Sequence, residues 1–339
     1  MTNKKYGKPS IAVIENKKSF FNKNKHHLEE VKKINKILKR QPLRNGCKIC
    51  GHKHGNTISV QDVEYLWCDN CGHFSGQYQD TDQYVESLYT DESGGNYSEN
   101  YKNNYHSRVE QIYKPKANFL INFMDSKGVK DFSVLDLGCG AGHFVYSLDR
   151  LNIKASGKDV SEDLVNLGNQ AIGYSALATM GMDDIYEHIL NANTEVVSLI
   201  GVLEHIKEPL RALENFSNSS AEYLYLQVPL LSLSVLLEAA NDDIFPRQLN
   251  KGHTHLFTKE SLYWLLNKYD LKSEEEWWFG TDIVDLFRHL FVKITSKQDV
   301  NNKIFEELII KNIDAMQLAI DKSERASDVH MIVGKNNGS

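Results

Sequence analysis

The chain has 339 residues, of which 41% are hydrophobic, 25% charged and 10% aromatic, and its formal net charge is −6. This is ordinary globular composition, which excludes disordered, collagen-like and coiled-coil classes. The acidic balance argues against a broad electrostatic grip on nucleic acid.

Residues 1–44 form a basic arm, with thirteen Lys/Arg against three Asp/Glu. The local net of +10 leaves −16 for the remainder. Leu28, Val31, Ile34 and Leu38 recur at helical spacing, so an amphipathic helix is expected within an otherwise solvated arm. It is a candidate docking helix or contact for an anionic surface. The arm lacks the continuous apolar stretch and small-residue cleavage site of a secretory signal. The most apolar window, Tyr223–Ala240, is interrupted by Gln227, Pro229 and Glu238 and reads as a strand and a helix. A bilayer span needs about 20 apolar residues. The expectation is a cytoplasmic protein with no membrane span.

Residues 45–76 carry two cysteine pairs, Cys47/Cys50 and Cys68/Cys71, separated by seventeen residues. In a reducing compartment, paired CxxC turns at this spacing point to zinc, not disulfides. Gly51 and Gly72 follow the pairs and permit the left-handed turn that directs amides at the sulfurs. Strand-like segments at Thr57–Val60 and Val63–Trp67 complete a small zinc ribbon. Four thiolates leave no open position, so the zinc is expected to be structural. His52, His54 and His73 are read as exposed neighbours of this site.

Residues 77–112 are a tyrosine-rich connector. Beyond it, strands and helices alternate. A helix is expected near Tyr113–Lys127 and a strand at Ser133–Leu137, with a helix following from about Gly142. The next strand is Lys154–Asp159 and the next helix Glu162–Asn169. Two more apolar strands follow at Val196–Ile200 and Tyr223–Val228. This alternation predicts an α/β fold with a doubly wound sheet. A further helix is expected near Asn302–Ile320, and Trp277-Trp278-Phe279 reads as core.

The strand at 133–137 runs into Gly138-Cys139-Gly140-Ala141-Gly142, where a doubly wound sheet binds its ligand. Asp159 ends the next strand about twenty residues on, where an acid can accept both hydroxyls of a ribose. These residues resemble the class I S-adenosylmethionine-dependent methyltransferases. Asp136, Gly138, Cys139, Gly140 and Gly142 match the first motif, and Asp159 matches the ribose-binding acid, with Val160 beside it. Gly201–Pro209 resembles the segment after the fourth strand and Tyr225–Pro229 the fifth strand. His253–Leu262 resembles the opening of the next helix. The resemblance implies a Rossmann-like methyltransferase domain over 113–275, with an extension at 276–339. It also implies a donor site completed by Glu204 and by a lid containing Tyr97 and Tyr101. The 180–185 region, including Met182 and Asp183, is expected near the adenine.

The order of zinc ribbon, connector and methyltransferase domain is similar to bacterial surface-polysaccharide enzymes and sugar-nucleotide C-methyltransferases. In that group a histidine separated by two residues from a Tyr-Phe pair lies near substrate, and His253 stands at that distance from Leu256-Phe257. Leu256 replaces the tyrosine and Gly252 a preceding glutamate, which weighs against C-methylation. The expected acceptor is a small molecule or carbohydrate whose hydroxyl loses its proton to histidine. His253, His255 and His205 are the candidates. RNA methylation, with ribbon and arm as the grip, is the competing class. The acidic bulk opposes it, as does Gly201-Val202-Leu203-Glu204 where base-amine methylases carry Asn/Asp-Pro-Pro-aromatic. A non-catalytic module is opposed by the intact Asp136, glycine turn and Asp159.

Overall fold

The computed structural model describes residues 2–10, 23–90, 104–249, 252–295, 307 and 311–336. Strand β1 (Asn3–Tyr6) comes first, and helix α1 (Asn24–Leu38) follows. β2 (Gly55–Val60) and β3 (Val63–Cys68) form a hairpin. Its two turn residues, Gln61 and Asp62, both have positive φ, 49° and 59°. That geometry suits the twist of a two-residue hairpin. β4 (Phe74–Gly76) adds a third strand, and α2 (Asp82–Thr90) leaves the ribbon. The apolar stripe of α1 packs on this module, with Val31 and Leu38 buried and Ile34 and Ile37 against the same core.

A short helix α3 (Tyr105–Arg108) runs through a π-helical turn (Val109–Tyr113) into α4 (Lys114–Ser126). The alternating region then follows as β5 (Ser133–Leu137), α5 (His143–Asp149), β6 (Lys154–Asp159), α6 (Glu162–Ile172), β7 (Leu177–Thr179), α7 (Asp184–Leu190), β8 (Val196–Ile200), α8 (Pro209–Asn218) and β9 (Tyr223–Pro229). Ser161 caps α6 by accepting from the Leu164 amide, and Gly173 ends it at φ 94°. α9 (Leu233–Ala239), β10 (His255–Leu256) and α10 (Lys259–Lys268) lead to β11 (Leu271–Trp278), α11 (Asp282–Thr295), α12 (Ile313–Lys322) and β12 (Asp328–Lys335). Thr258 and Ser261 form a reciprocal capping box at the start of α10.

The large sheet has the order β1-β11-β12-β9-β8-β5-β6-β7. Strands β7, β6, β5, β8 and β9 are parallel, so their carboxyl ends share one edge. The strand order reverses beside β5, and ligands bind at such a switch point. β12 runs antiparallel to both β9 and β11.

Two segments expected outside the sheet belong to it. Asn3–Tyr6 of the arm pairs in parallel with β11. Lys4 there forms an ion pair with Glu324, and the Lys5 ammonium lies 4.1 Å from the Trp277 ring centroid. Residues 328–335 of the expected C-terminal extension fill the gap between β9 and β11. Trp277 and Trp278 are core, as expected. The part of the expected 302–320 helix that precedes Lys311 lies, except for residue 307, outside the described residues.

Val329, Met331, Ile332 and Val333 of β12 are all buried. At about 1.5–3 kcal/mol for each fully buried side chain, they contribute on the order of 6–12 kcal/mol. That rivals the whole stability of a typical domain, about 5–15 kcal/mol. Truncation after Ser327 is therefore expected to abolish folding. Near-ultraviolet circular dichroism should lose its native signal; a truncated chain with a native spectrum and a sharp melt would refute this.

Candidate active site

The glycine turn after β5 has the backbone that its sequence requires. Gly138, Gly140 and Gly142 have φ of 71°, 55° and 67°. The two outer glycines are also tight: a Cβ on Gly138 would lie 2.5 Å from Val202, and one on Gly142 2.6 Å from Leu177. Gly140 differs, because a Cβ there would meet nothing within 4 Å. The turn thus presents an open backbone surface at its middle glycine. Cys139 turns away from it, with its sulfur 2.7 Å from where a Cβ on Gly157 would sit. Its thiol reaches the Gly140 carbonyl at 3.6 Å, and burial pushes the thiol pKa well above its ordinary value.

Asp159 sits beside this surface. Its Oδ2 accepts from the Gly140 amide at 2.7 Å and its Oδ1 from the Ser161 amide at 2.9 Å. Each carboxylate oxygen retains a second lone pair, enough for two ribose hydroxyls. Burial raises the Asp159 pKa, and the backbone donors oppose that shift. Val160 is 39% exposed, an apolar side chain beside the acid. The Met180 amide donates to the Asp159 carbonyl, and Met182 is exposed, which puts the 180–182 backbone on the same edge. These features fit a nucleoside with a free diol, as the donor has. Tyr97 and Tyr101 lie outside the described residues.

Asp136 is buried beneath the turn and accepts from the Ser198 hydroxyl at 2.6 Å. Burial pushes its pKa up to about 7. Two further groups here have no signal in the sequence. Lys116 is a buried cation whose Nζ is 3.4 Å from Gln227 Oε1, and burial lowers its pKa to about 7. His143, the first residue of α5, is stacked between Tyr105 and Tyr113, at ring centroid distances of 4.2 and 5.0 Å. The Tyr105 hydroxyl donates to the Ala141 carbonyl, tying the connector to the glycine turn.

A second cluster stands at the carboxyl end of β8. Glu204, His205 and His253 each offer a donor atom, and the three atoms lie within 4.8 Å of one another. His253 Nδ1 is 2.6 Å from the Gln248 carbonyl, so Nδ1 carries the proton and Nε2 the lone pair. Enclosure by protein lowers the pKa of His205 to about 3 and of His253 to about 4. Both rings are therefore neutral near pH 7. Burial pushes the Glu204 carboxyl up to about 8.

His255, the third histidine candidate, is not part of this cluster. It is fully buried in β10, with Nδ1 3.0 Å from Nε2 of His73. His73 is also fully buried, against the expectation of an exposed neighbour, and its Nδ1 lies 3.3 Å from the Ser261 hydroxyl. The reason is strand pairing. β10 joins β4 in antiparallel register, His255 opposite Ser75, and turns its side chain into the seam between ribbon and sheet.

The four cysteine sulfurs come together within 4.8 Å of one another. Cys47 and Cys71 are 3.6 Å apart, and Cys50 and Cys68 are 3.5 Å apart. A tetrahedral zinc with bonds of 2.3 Å implies about 3.8 Å between sulfurs. Gly51 and Gly72 have φ of 72° and 73°, and their amides donate to the carbonyls of Cys47 and Cys68. Donor set and spacing fit a structural zinc.

The Asp136 shift has a measurable consequence. Its folded pKa near 7 stands above an unfolded value of about 3.9. A raised acid stabilises most below its unfolded pKa and loses that contribution as pH rises through the folded one. Asp136→Asn removes the titration. The melting temperature of the variant relative to the parent should therefore rise between about pH 4 and pH 7. A difference that stays constant over that range would count against the buried-acid assignment.

A family model described as a methyltransferase domain matches residues 101–276, just over half of the chain. Among solved structures, a SAM-dependent methyltransferase from Archaeoglobus fulgidus is 19% identical with a TM-score of 0.43, over 66% of this chain and 93% of that one. Magnesium protoporphyrin IX methyltransferase from Synechocystis is 12% identical with a TM-score of 0.48, over 75% and 100%. A plantazolicin methyltransferase is 15% identical with a TM-score of 0.46, over 75% and 94%. No curated protein matches the chain. Among the described residues, no helix is long and apolar enough to cross a membrane. The chain belongs to the methyltransferase-domain family and is an enzyme of S-adenosylmethionine-dependent methyl transfer.

Proposed function

We propose that the enzyme methylates an oxygen of a small-molecule or carbohydrate acceptor, such as a sugar nucleotide or a surface-polysaccharide sugar. The observation that carries this reading is the Glu204–His205–His253 cluster at the carboxyl end of β8. A hydroxyl acceptor must lose its proton to attack, and two neutral imidazoles supply lone pairs for that step. The donor, when bound, supplies a methyl group already activated on a sulfonium. The protein then has mainly to align the partners and handle one proton. The glycine turn and Asp159 hold the donor in this reading, with Val160 against its base and Asp136 supporting the turn.

The carbohydrate part of the proposal rests on domain order. A four-cysteine ribbon ahead of a methyltransferase sheet resembles enzymes that methylate sugars. We read Cys47, Cys50, Cys68 and Cys71 as ligands of a structural zinc, with residues 45–76 as the module it holds together. Such a short unit has little core of its own, and metal binding would supply much of its folding free energy.

Incubation with labelled methyl donor and a panel of nucleotide sugars and oligosaccharides, read by mass spectrometry, tests the acceptor class. Methylation of RNA but of no sugar in that panel would overturn the reading. Asp159→Ala should weaken donor binding tenfold to a hundredfold, because hydrogen bonds to a charged group contribute about 1.5–3 kcal/mol. Calorimetry on the folded variant measures this directly. His253→Ala should lower turnover by about 10²–10⁴ with donor affinity intact. Cys68→Ser should release close to one zinc per chain, by elemental analysis.

A further inference from the structure

The Glu204–His205–His253 cluster has a feature that a simple base does not need. Glu204 is 3% exposed, and its Oε2 has no hydrogen-bond partner. Its Oε1 lies 3.9 Å from His205 Nε2, beyond hydrogen-bond length. A buried carboxyl with an unpartnered oxygen is costly unless a cation or donor completes it. Lys116 acts on it only as a charge at a distance: its ammonium lies 3.4 Å from Gln227 Oε1 and above the Tyr113 ring.

One of the two histidines, His253, is held as a metal ligand usually is, while the buried Nδ1 of His205 has no hydrogen-bond partner. A ligating imidazole usually gives its second N–H to a carbonyl, which fixes the tautomer and the ring plane. His253 does this through Nδ1 to Gln248. That carbonyl is itself fixed, because Glu238 accepts from the amides of Arg247, Gln248 and Leu249 at 2.7, 2.7 and 3.2 Å. Bonds of about 2.0–2.2 Å to nitrogen and oxygen put neighbouring donor atoms about 3.0–3.5 Å apart. The observed separations, up to 4.8 Å, need an inward shift of about an ångström, within reach of side-chain rotation. Two imidazoles and one carboxylate suit first-row transition metals better than magnesium or calcium.

We propose that Glu204, His205 and His253 bind a divalent first-row transition-metal ion on the acceptor side of the crevice. Three protein ligands leave positions open for an acceptor hydroxyl. The ion would lower the pKa of that hydroxyl, whose proton passes to solvent. The oxygen lone pair then forms the new C–O bond as the C–S bond of the donor breaks, leaving the neutral thioether. This inference rests on the acceptor-face reading above and replaces its histidine base: the imidazole lone pairs hold the ion, and solvent takes the proton.

The test is calorimetry of the full chain with Zn²⁺ and with Mn²⁺, alongside elemental analysis that counts the metal held by the cysteines. The expected result is one ion beyond the cysteine-bound one. Its affinity should fall at least tenfold in both His253→Ala and Glu204→Gln, with cysteine-bound metal unchanged in both and donor binding unchanged in His253→Ala. Absence of an added ion, or equal affinity in parent and variants, overturns the proposal. So does methyl transfer that proceeds at full rate in protein stripped of the added ion. Donor affinity measured in the same samples keeps a failure of this site distinct from a failure of methyl transfer.

Discussion

The pairing of β10 with β4 makes the ribbon and the methyltransferase sheet one structure. Only two residues on each side take part, His255–Leu256 against Phe74–Ser75. Around them the contacts are polar and buried. The Gly76 amide donates to the Thr254 carbonyl at 2.8 Å, and the Thr258 hydroxyl donates to the Gly72 carbonyl at 3.0 Å. The His73–His255 bond requires complementary tautomers, one ring donating and the other accepting. Burial holds both pKa values well below the ordinary range, so neutral rings persist. Lys48, inside the first cysteine turn, completes the seam: its ammonium donates to Asp80 at 2.6 Å and to the Ile206 carbonyl at 3.2 Å. These contacts hold residues 204–207 and 252–258, the two segments that carry the histidine pair.

Contrast among the buried acids separates structure from chemistry. Asp285 is nearly inaccessible, and it meets Arg247 and Arg288 and accepts from the Ser234 hydroxyl. Asp282 accepts from the Ser234 amide and hydroxyl and from the Ser327 amide. Glu238 takes three backbone amides. Each is a satisfied group that pins one loop, and a satisfied buried acid needs no functional explanation. Glu204 is as buried as these, yet its Oε2 has no such partner. Asp321 Oδ2 is likewise unpartnered, so what sets Glu204 apart is its place beside two imidazoles at the end of β8.

Local signals were legible in the sequence, and long-range pairings were not. Strands 133–137 and 196–200 have the expected bounds because short apolar runs between turn residues leave little choice, and the largely polar strand 154–159 also has its expected bounds. The cysteine turns and the glycine turn are local too, since backbone geometry at Gly51, Gly72, Gly138, Gly140 and Gly142 dictates residue type. By contrast, β10 is two residues long and exists only through its partner. The position of β12 between β9 and β11 reverses chain order, which periodicity does not encode. Lys116 looked like any helix lysine, and His73 like any polar neighbour of a knuckle. Each was buried by an element more than a hundred residues away: Gln227 for the lysine, β10 and Ser261 for the histidine.

Gly252 shows how one backbone angle reaches the chemistry. The resemblance drawn from the sequence sets it against a glutamate, a difference that weighs against C-methylation. The structure gives it a different explanation. Its φ is 82°, in the left-handed region that favours glycine. A Cβ there would lie 3.2 Å from His205 Nδ1 and 3.3 Å from Leu88. The chain must make this turn to bring the His253 ring to within 4.7 Å of the His205 ring, centroid to centroid. A side chain at 252 would strain the turn and crowd one imidazole of the pair. The carboxyl beside the two histidines is that of Glu204, on the opposite segment. Glycine at 252 therefore serves the conformation that lets the two segments meet.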